Sequence, residues 1–111
     1  MNRIIYRKLV RDHIPEIIRQ SGKSCTTETL DDTAYLQMLD EKLNEELAEY
    51  QQSKSMEELA DLLEVIRAVI TARGSSMEAV EALRVSKAQS RGGFSKRVLL
   101  VDVEDHDCSG K

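Results

Sequence analysis

Apolar residues between positions 32 and 52 recur at spacings of three and four, which is the period of one face of an α-helix. This stripe consists of Leu36, Leu39, Leu43, Leu47 and Tyr50. It predicts one long amphipathic helix from about Asp32 to Gln52.

A second amphipathic helix is predicted directly after the first. Ser55 and Glu58 form an S-x-x-E capping box, so this helix begins near Met56, and Gly74 ends it. Its apolar face carries Leu59, Leu62, Leu63, Ile66, Val69 and Ile70. Because only about residues 53–55 connect the two helices, we expect them to be antiparallel neighbours.

Two further helices flank this hairpin. Pro15 suits the first turn of a short helix in RDHIPEIIRQSG. Ser75 and Glu78 repeat the capping-box pattern, and the helix they start is predicted to run to about Ser90. At the chain ends, RIIY and RVLLVDV have strand composition. A lone strand leaves its backbone unpaired, so we predict a small β element formed by these two segments, within or across subunits.

The chain has 111 residues, which fits one domain over residues 1–103, followed by a disordered tail at 104–111. Aromatic residues are 4% of the sequence and Trp is absent, so the core must be aliphatic. Wide aliphatic faces in so small a chain predict an all-α helical bundle completed by oligomerisation, as a homodimer or homotetramer.

Charge and composition narrow the possible partners. A net charge of −4 argues against binding a nucleic-acid polymer, which requires a basic surface. No signal peptide and no apolar run of transmembrane length is visible, so we expect a cytoplasmic protein without a membrane partner. Cys25 and Cys108 match no zinc or disulfide framework.

Carboxylates crowd both sides of the central turn, in the stretch NEELAEYQQSKSMEELAD. Glu46 and Asp61 are equally distant from the turn, and so are Glu49 and Glu58, so each pair should lie level across the hairpin. At about 100° per residue, these four side chains line one edge of the seam. By the same projection, Glu45 and Glu57 point to solvent.

Four carboxylates held this close repel one another and need compensation. Hard oxygen ligands suit Mg²⁺, with Mn²⁺ as a substitute, and magnesium commonly bridges carboxylates to substrate phosphates. The cluster is therefore compatible with a metal site for phosphate chemistry, but its spacing alone does not favour that site over the alternative. The alternative is that these residues are ordinary solvated surface and that Glu58 serves only the helix cap.

These residues resemble a known family. EELAEY followed by EELADLLEVIRAVITARG is similar to the all-α nucleoside triphosphate pyrophosphatases, the MazG superfamily, which includes phosphoribosyl-ATP pyrophosphohydrolases. The family pattern is E-E-x-x-E, a gap and E-x-x-D. Here the gap is residues 50–57, which is shorter than usual. YRKLVRDHIPEII and KAQSRGGFSKR resemble a subgroup predicted to remove nonstandard nucleoside triphosphates, a house-cleaning role.

The resemblance implies cleavage between the α- and β-phosphates, giving a nucleoside monophosphate and pyrophosphate. Carried onto this sequence, Glu46, Glu49, Glu58 and Asp61 are the catalytic residues and Mg²⁺ ligands. Family members activate a water on the metal, and an unliganded carboxylate can take its proton.

Cations must hold the outer phosphates of such a substrate. Lys87 and Arg91 lie four apart on one predicted helix face, and Lys8 and Arg11 lie three apart near the start of the chain. We interpret all four as substrate-binding residues, against the alternative of solvated helix ends. Phe94 either stacks on a base or packs in the core, and we favour the core.

Two other functions stay open. One is phosphoribosyl-ATP hydrolysis in histidine synthesis, although KLVRD and RGGF favour the house-cleaning subgroup. The other is a non-catalytic helical module that dimerises through its hairpin and carries its acidic residues as surface.

Overall fold

A computed structural model describes residues 3–105, and within this range the protein is all-α, with helices and no strands. The helices are α1 (Ile14–Gln20), α2 (Asp32–Ser53), α3 (Met56–Ala72) and α4 (Met77–Arg91). The chain divides into two compact units, Met1–Val80 and Glu81–Lys111. The predicted all-α class and the number of helices are thus confirmed for the part of the chain that the structure describes.

Helices α2 and α3 pack against each other as the predicted hairpin. The Asp31 side chain caps α2 by accepting a hydrogen bond from the backbone N–H of Ala34. At the other end, Lys54 takes a left-handed conformation with φ 60°, and Ser55 already caps α3. A reversal this short makes the two helices antiparallel neighbours.

The capping box of α3 forms only one of its two expected hydrogen bonds. The Ser55 hydroxyl accepts from the backbone N–H of Glu58 at 3.3 Å, as predicted. The backbone N–H of Ser55 donates to the hydroxyl of Ser53 at 3.2 Å. Ser53 therefore takes the place that the Glu58 carboxylate occupies in a full capping box, and this leaves the carboxylate available for other contacts.

The predicted cap of α4 was wrong by one residue. The hydroxyl of Ser76, not Ser75, accepts from the backbone N–H of Ala79 at 3.1 Å. Ser75 belongs to the end of α3, because its N–H donates to the carbonyl of Ile70 at 3.0 Å. Gly74, with φ 85°, makes this Schellman ending possible. The C-terminal motif of α3 thus occupies Ser75 and moves the cap of α4 to the next serine.

The predicted β element was wrong within the chain. Within residues 3–105, neither RIIY nor RVLLVDV has regular secondary structure. Their apolar side chains are exposed, for example Ile5 at 73% and Leu99 at 83%. Strand composition alone supplies no partner strand. Phe94 is 99% exposed, so its predicted core position was wrong too. The predicted tail lies outside the described residues from His106 onward.

The hairpin covers its own aliphatic faces only in part. Leu39, Val65 and Ile70 are buried, whereas Leu63 is 60% and Leu47 43% exposed. Leu63 lies about 160° around α3 from Val65, so the two side chains point to opposite sides of the helix. Among the described residues, no helix has both the length and the apolar character needed to cross a membrane.

Candidate metal centre

The candidate site begins with Glu46, a carboxylate that α2 carries into the interior. Glu46 follows the buried Leu39 by seven residues, which is two helical turns, so both lie on the same face. Lys42, one turn earlier, places its Nζ 3.6 Å from Glu46 Oε1. Glu46 Oε2 is buried and has no hydrogen-bond partner among the described residues. A buried oxygen of this kind is costly unless a cation or donor compensates it.

Three of the four predicted ligands come together across the hairpin. Glu46 of α2 and Glu58 and Asp61 of α3 each place one oxygen within 4.8 Å of the others. We call these three residues the acidic triad. Glu49 lies outside the triad with its side chain exposed. The level pairing of Glu46 with Asp61 is therefore realised in space, while Glu49 stays at the rim of the cluster.

The pKa of Glu58 is raised above its ordinary value. The first cause is burial, which desolvates the charged carboxylate, and the next is the negative charge of Glu49, followed by Asp61, Glu46 and Glu57. Both effects disfavour another negative charge at this place. The raised pKa of Glu58 thus reflects desolvation first and repulsion by the neighbouring carboxylates second.

This raised pKa predicts how the stability of the metal-free protein depends on pH. Glu58 favours folding most below its ordinary pKa of 4.5, and this contribution is lost as pH rises through the raised value. Glu58→Gln does not titrate and keeps the backbone cap. We therefore expect the melting temperature of this variant, minus that of the wild type, to increase from pH 4.5 to 7.5 in chelator. A difference that stays constant across this range in thermal melts followed by circular dichroism contradicts the assignment.

One of the predicted phosphate-binding cations pairs with the triad, and a second pairs with Glu45, the residue before Glu46. Arg11 Nη2 is 2.8 Å from Asp61 Oδ1, and Lys8 Nζ is 3.6 Å from Glu45 Oε1. Both come from the segment before α1, so the fold brings the start of the chain to the hairpin. The other two, Lys87 and Arg91, are exposed on α4 beyond Val80, in the second unit.

Lys42 is the site residue that sequence reasoning missed. It contacts Glu45 Oε1 at 3.1 Å as well as Glu46, and its side chain is only 20% exposed. Its position four residues before Glu46 was the available signal, because oppositely charged side chains at this spacing meet on a helix. Glu45 was predicted to be solvated, which was wrong, since two lysines contact it and partly cover it. Glu57 is exposed, as predicted.

The donor set of the triad fits a hard divalent cation. Carboxylate oxygens are the ligands that Mg²⁺ and Mn²⁺ prefer, and magnesium needs few of them because it keeps several waters. Glu46 Oε2, which has no hydrogen-bond partner among the described residues, is an oxygen that a cation held by the triad would compensate. Lys42 and Arg11 neutralise part of the remaining charge from the two sides of the cluster.

The hairpin also carries a groove away from its turn. The groove has a volume of about 270 Å³ and is lined by Tyr35, Glu64, Arg67, Ala68, Thr71 and Ala72. Small-molecule pockets usually enclose about 300–1,000 Å³. The groove is therefore slightly smaller than this usual range.

Comparisons with known proteins identify no family for this chain. No family model matches it, and no solved structure matches it. A protein of Mycolicibacterium smegmatis (strain ATCC 700084 / mc(2)155), described as uncharacterized, is 55% identical over 42 residues, or 38% of this chain. The matched region spans 43% of that protein's length.

Proposed function

We propose that this protein is a Mg²⁺-dependent nucleotide pyrophosphohydrolase, which cleaves a nonstandard nucleoside triphosphate to the monophosphate and pyrophosphate. The observation that carries the proposal is the acidic triad with the buried, unpartnered Oε2 of Glu46. The ordered E-E-x-x-E and E-x-x-D elements and the KLVRD and RGGF segments support the same activity by resemblance to the MazG superfamily.

Each charged group has a proposed role in this reaction. The triad residues Glu46, Glu58 and Asp61 hold Mg²⁺. Glu49, at the rim of the cluster, either completes the ligand set or takes the proton of the attacking water. When bound, magnesium neutralises phosphate charge and makes a water molecule easier to deprotonate.

Cations hold the substrate's phosphates in this proposal. Arg11 pairs with Asp61 of the triad, and Lys8 pairs with Glu45, the residue before Glu46, so both are proposed to bind phosphate there. Lys87 and Arg91 are proposed as further phosphate ligands from α4. Their side chains make no ion pair among residues 3–105, so neither has to give up a partner to bind an anion.

The catalytic form is proposed to be a helical bundle made by at least two chains in the cytoplasm. Leu47 and Leu63 support this, because the apolar surface they expose on the hairpin is what a second copy buries. The same exposed leucines favour the rival function, a non-catalytic dimerisation module, so association alone does not separate the two.

Magnesium binding separates them. If the triad holds Mg²⁺, linkage at tens of times the Kd stabilises the folded state by about 2 kcal/mol. For a domain of this size, that corresponds to a rise in melting temperature on the order of 10 °C. A purely structural module should show no such rise with MgCl₂ compared with NaCl at equal ionic strength.

The activity itself is tested by a substrate screen. Standard and modified nucleoside triphosphates and phosphoribosyl-ATP are incubated with the protein and Mg²⁺, and released pyrophosphate is measured. We expect pyrophosphate and the monophosphate from at least one modified triphosphate. Preferred turnover of phosphoribosyl-ATP assigns the alternative enzymatic function. No release from any substrate, together with no thermal shift, contradicts an enzymatic role.

A further inference from the structure

Arg11 forms an ion pair with a member of the acidic triad. Its Nη2 donates to Asp61 Oδ1 at 2.8 Å, across 50 positions of sequence. Its backbone is held in place, because the carbonyl of Arg11 accepts from the N–H of Ile14 at 3.1 Å, at the start of α1. The side chain is 56% exposed. The guanidinium can therefore leave Asp61 without moving the backbone or opening the buried part of the hairpin.

The pairing of Arg11 and the binding of a divalent cation draw on the same negative charge. A carboxylate that accepts a hydrogen bond from a guanidinium has its charge partly neutralised, so it attracts a second cation less, and the two cations repel each other. Lys42, which pairs with Glu46, is only 20% exposed and lies on the same helix as its partner. Arg11 is the cation that is free to exchange, whereas Lys42 is a fixed part of the site.

We propose that Arg11 is an exchangeable counter-ion of the candidate metal centre. It neutralises Asp61 in the metal-free protein, is displaced when a divalent cation binds the triad, and then binds a phosphate group of the ligand. This inference rests on the proposed function and specifies the order of ligand binding, in which the cation binds before the phosphate. A guanidinium suits the second role, because its fork of N–H donors matches phosphate oxygens.

The exchange couples the two ligands. When the cation displaces Arg11, the stabilisation from the Arg11–Asp61 ion pair is lost. A bound phosphate offsets this loss because it gives the guanidinium a new partner. Cation and phosphate therefore bind with positive cooperativity through one side chain, and the coupling is reciprocal. Without Arg11, the cation should bind more tightly and the phosphate more weakly, which are changes of opposite sign.

The test measures both ligands by titration calorimetry on wild type and Arg11→Gln. The probes are Mn²⁺ alone and pyrophosphate in saturating Mg²⁺. We expect Arg11→Gln to bind Mn²⁺ about fivefold more tightly, the factor that an exposed ion pair can supply. We expect it to bind pyrophosphate about tenfold more weakly, because one charge-assisted hydrogen bond is lost. Arg7→Gln is the matched control, since Arg7 lies in the same segment but pairs with Glu28 at 3.3 Å.

Each other outcome overturns the inference in a recognisable way. Unchanged or weaker Mn²⁺ binding by Arg11→Gln shows that Arg11 does not compete with the cation. Equal tightening in Arg7→Gln shows an effect of net charge alone. Unchanged pyrophosphate binding removes the second role. A wild type that binds no Mn²⁺ instead contradicts the proposed function itself. If Arg11→Gln fails to fold by circular dichroism, Arg11→Met, which keeps the aliphatic stem, carries the same expectations.

Discussion

Replacing Glu46 by Gln is expected to lower Mg²⁺-dependent nucleotide hydrolysis by about 100-fold or more, since the loss of one charged ligand removes several kcal/mol of electrostatic stabilisation. Glu46 is the buried member of the triad, and its Oε2 has no partner among the described residues. Glutamine has nearly the same shape but carries no charge. We therefore expect the fold to persist while both the Mg²⁺ thermal shift and pyrophosphate release are lost.

Glu57→Gln is the matched control for this substitution. Glu57 is exposed beside Glu58 and lies outside the triad. The hydrolysis rate of the Glu57→Gln variant should therefore stay within about twofold of wild type, as for most surface changes. Glu49→Gln tests the rim position, and we expect its activity also to fall by orders of magnitude if Glu49 is a ligand or the base. If Glu46→Gln and Glu57→Gln release pyrophosphate at the same rate, the triad is a solvated surface and the proposed site is wrong.

Replacing Leu63 by Asp is expected to convert an oligomer into monomers. Leu63 is 60% exposed on α3, and the half-buried Leu59 and Ile66 lie beside it on the same face at spacings of four and three. A carboxylate placed in an apolar interface loses its hydration without a partner, which costs several kcal/mol. The dissociation constant should therefore rise by about 100-fold or more, since each 1.4 kcal/mol is a factor of ten.

Light scattering at micromolar concentration measures this change. Ala48→Asp adds the same charge to the exposed side of α2, nine residues and therefore half a turn around the helix from the buried Leu39. We expect this control to remain an oligomer. A wild-type protein that is monomeric at these concentrations contradicts the oligomeric proposal directly. If both variants remain associated, the interface lies elsewhere than on this face of α3.

The charge balance of the hairpin connects these predictions. Lys42 and Arg11 pair with two of the three carboxylates of the triad, whereas desolvation and the neighbouring carboxylates raise the pKa of the third, Glu58. A divalent cation stabilises the folded protein most when all three carboxylates of the triad are ionised. We therefore expect the largest thermal shift with Mg²⁺ near neutral pH and a smaller one near pH 4.5, where protons compete for Glu58.

Local patterns in the sequence were sufficient for the helices and the central turn. The Leu36–Tyr50 stripe, the Ser55 cap and the ending at Gly74 each depend on neighbours a few residues away, and helix formation is governed by such contacts. The level pairing of Glu46 with Asp61 followed from the short turn, because an antiparallel hairpin leaves little freedom in register. For these features the sequence by itself determined the outcome.

Only the tertiary structure decided which charged groups meet. The approach of Arg11 to Asp61 links residues 50 positions apart, and no local period encodes where an extended N-terminal segment will lie. The orphaned oxygen of Glu46 and the partial burial of Glu45 depend on side-chain directions that a helical wheel gives only coarsely. The predicted strands do not form for the same reason. A strand needs a partner strand whose position depends on the whole fold, whereas a helix satisfies its backbone hydrogen bonds within its own sequence.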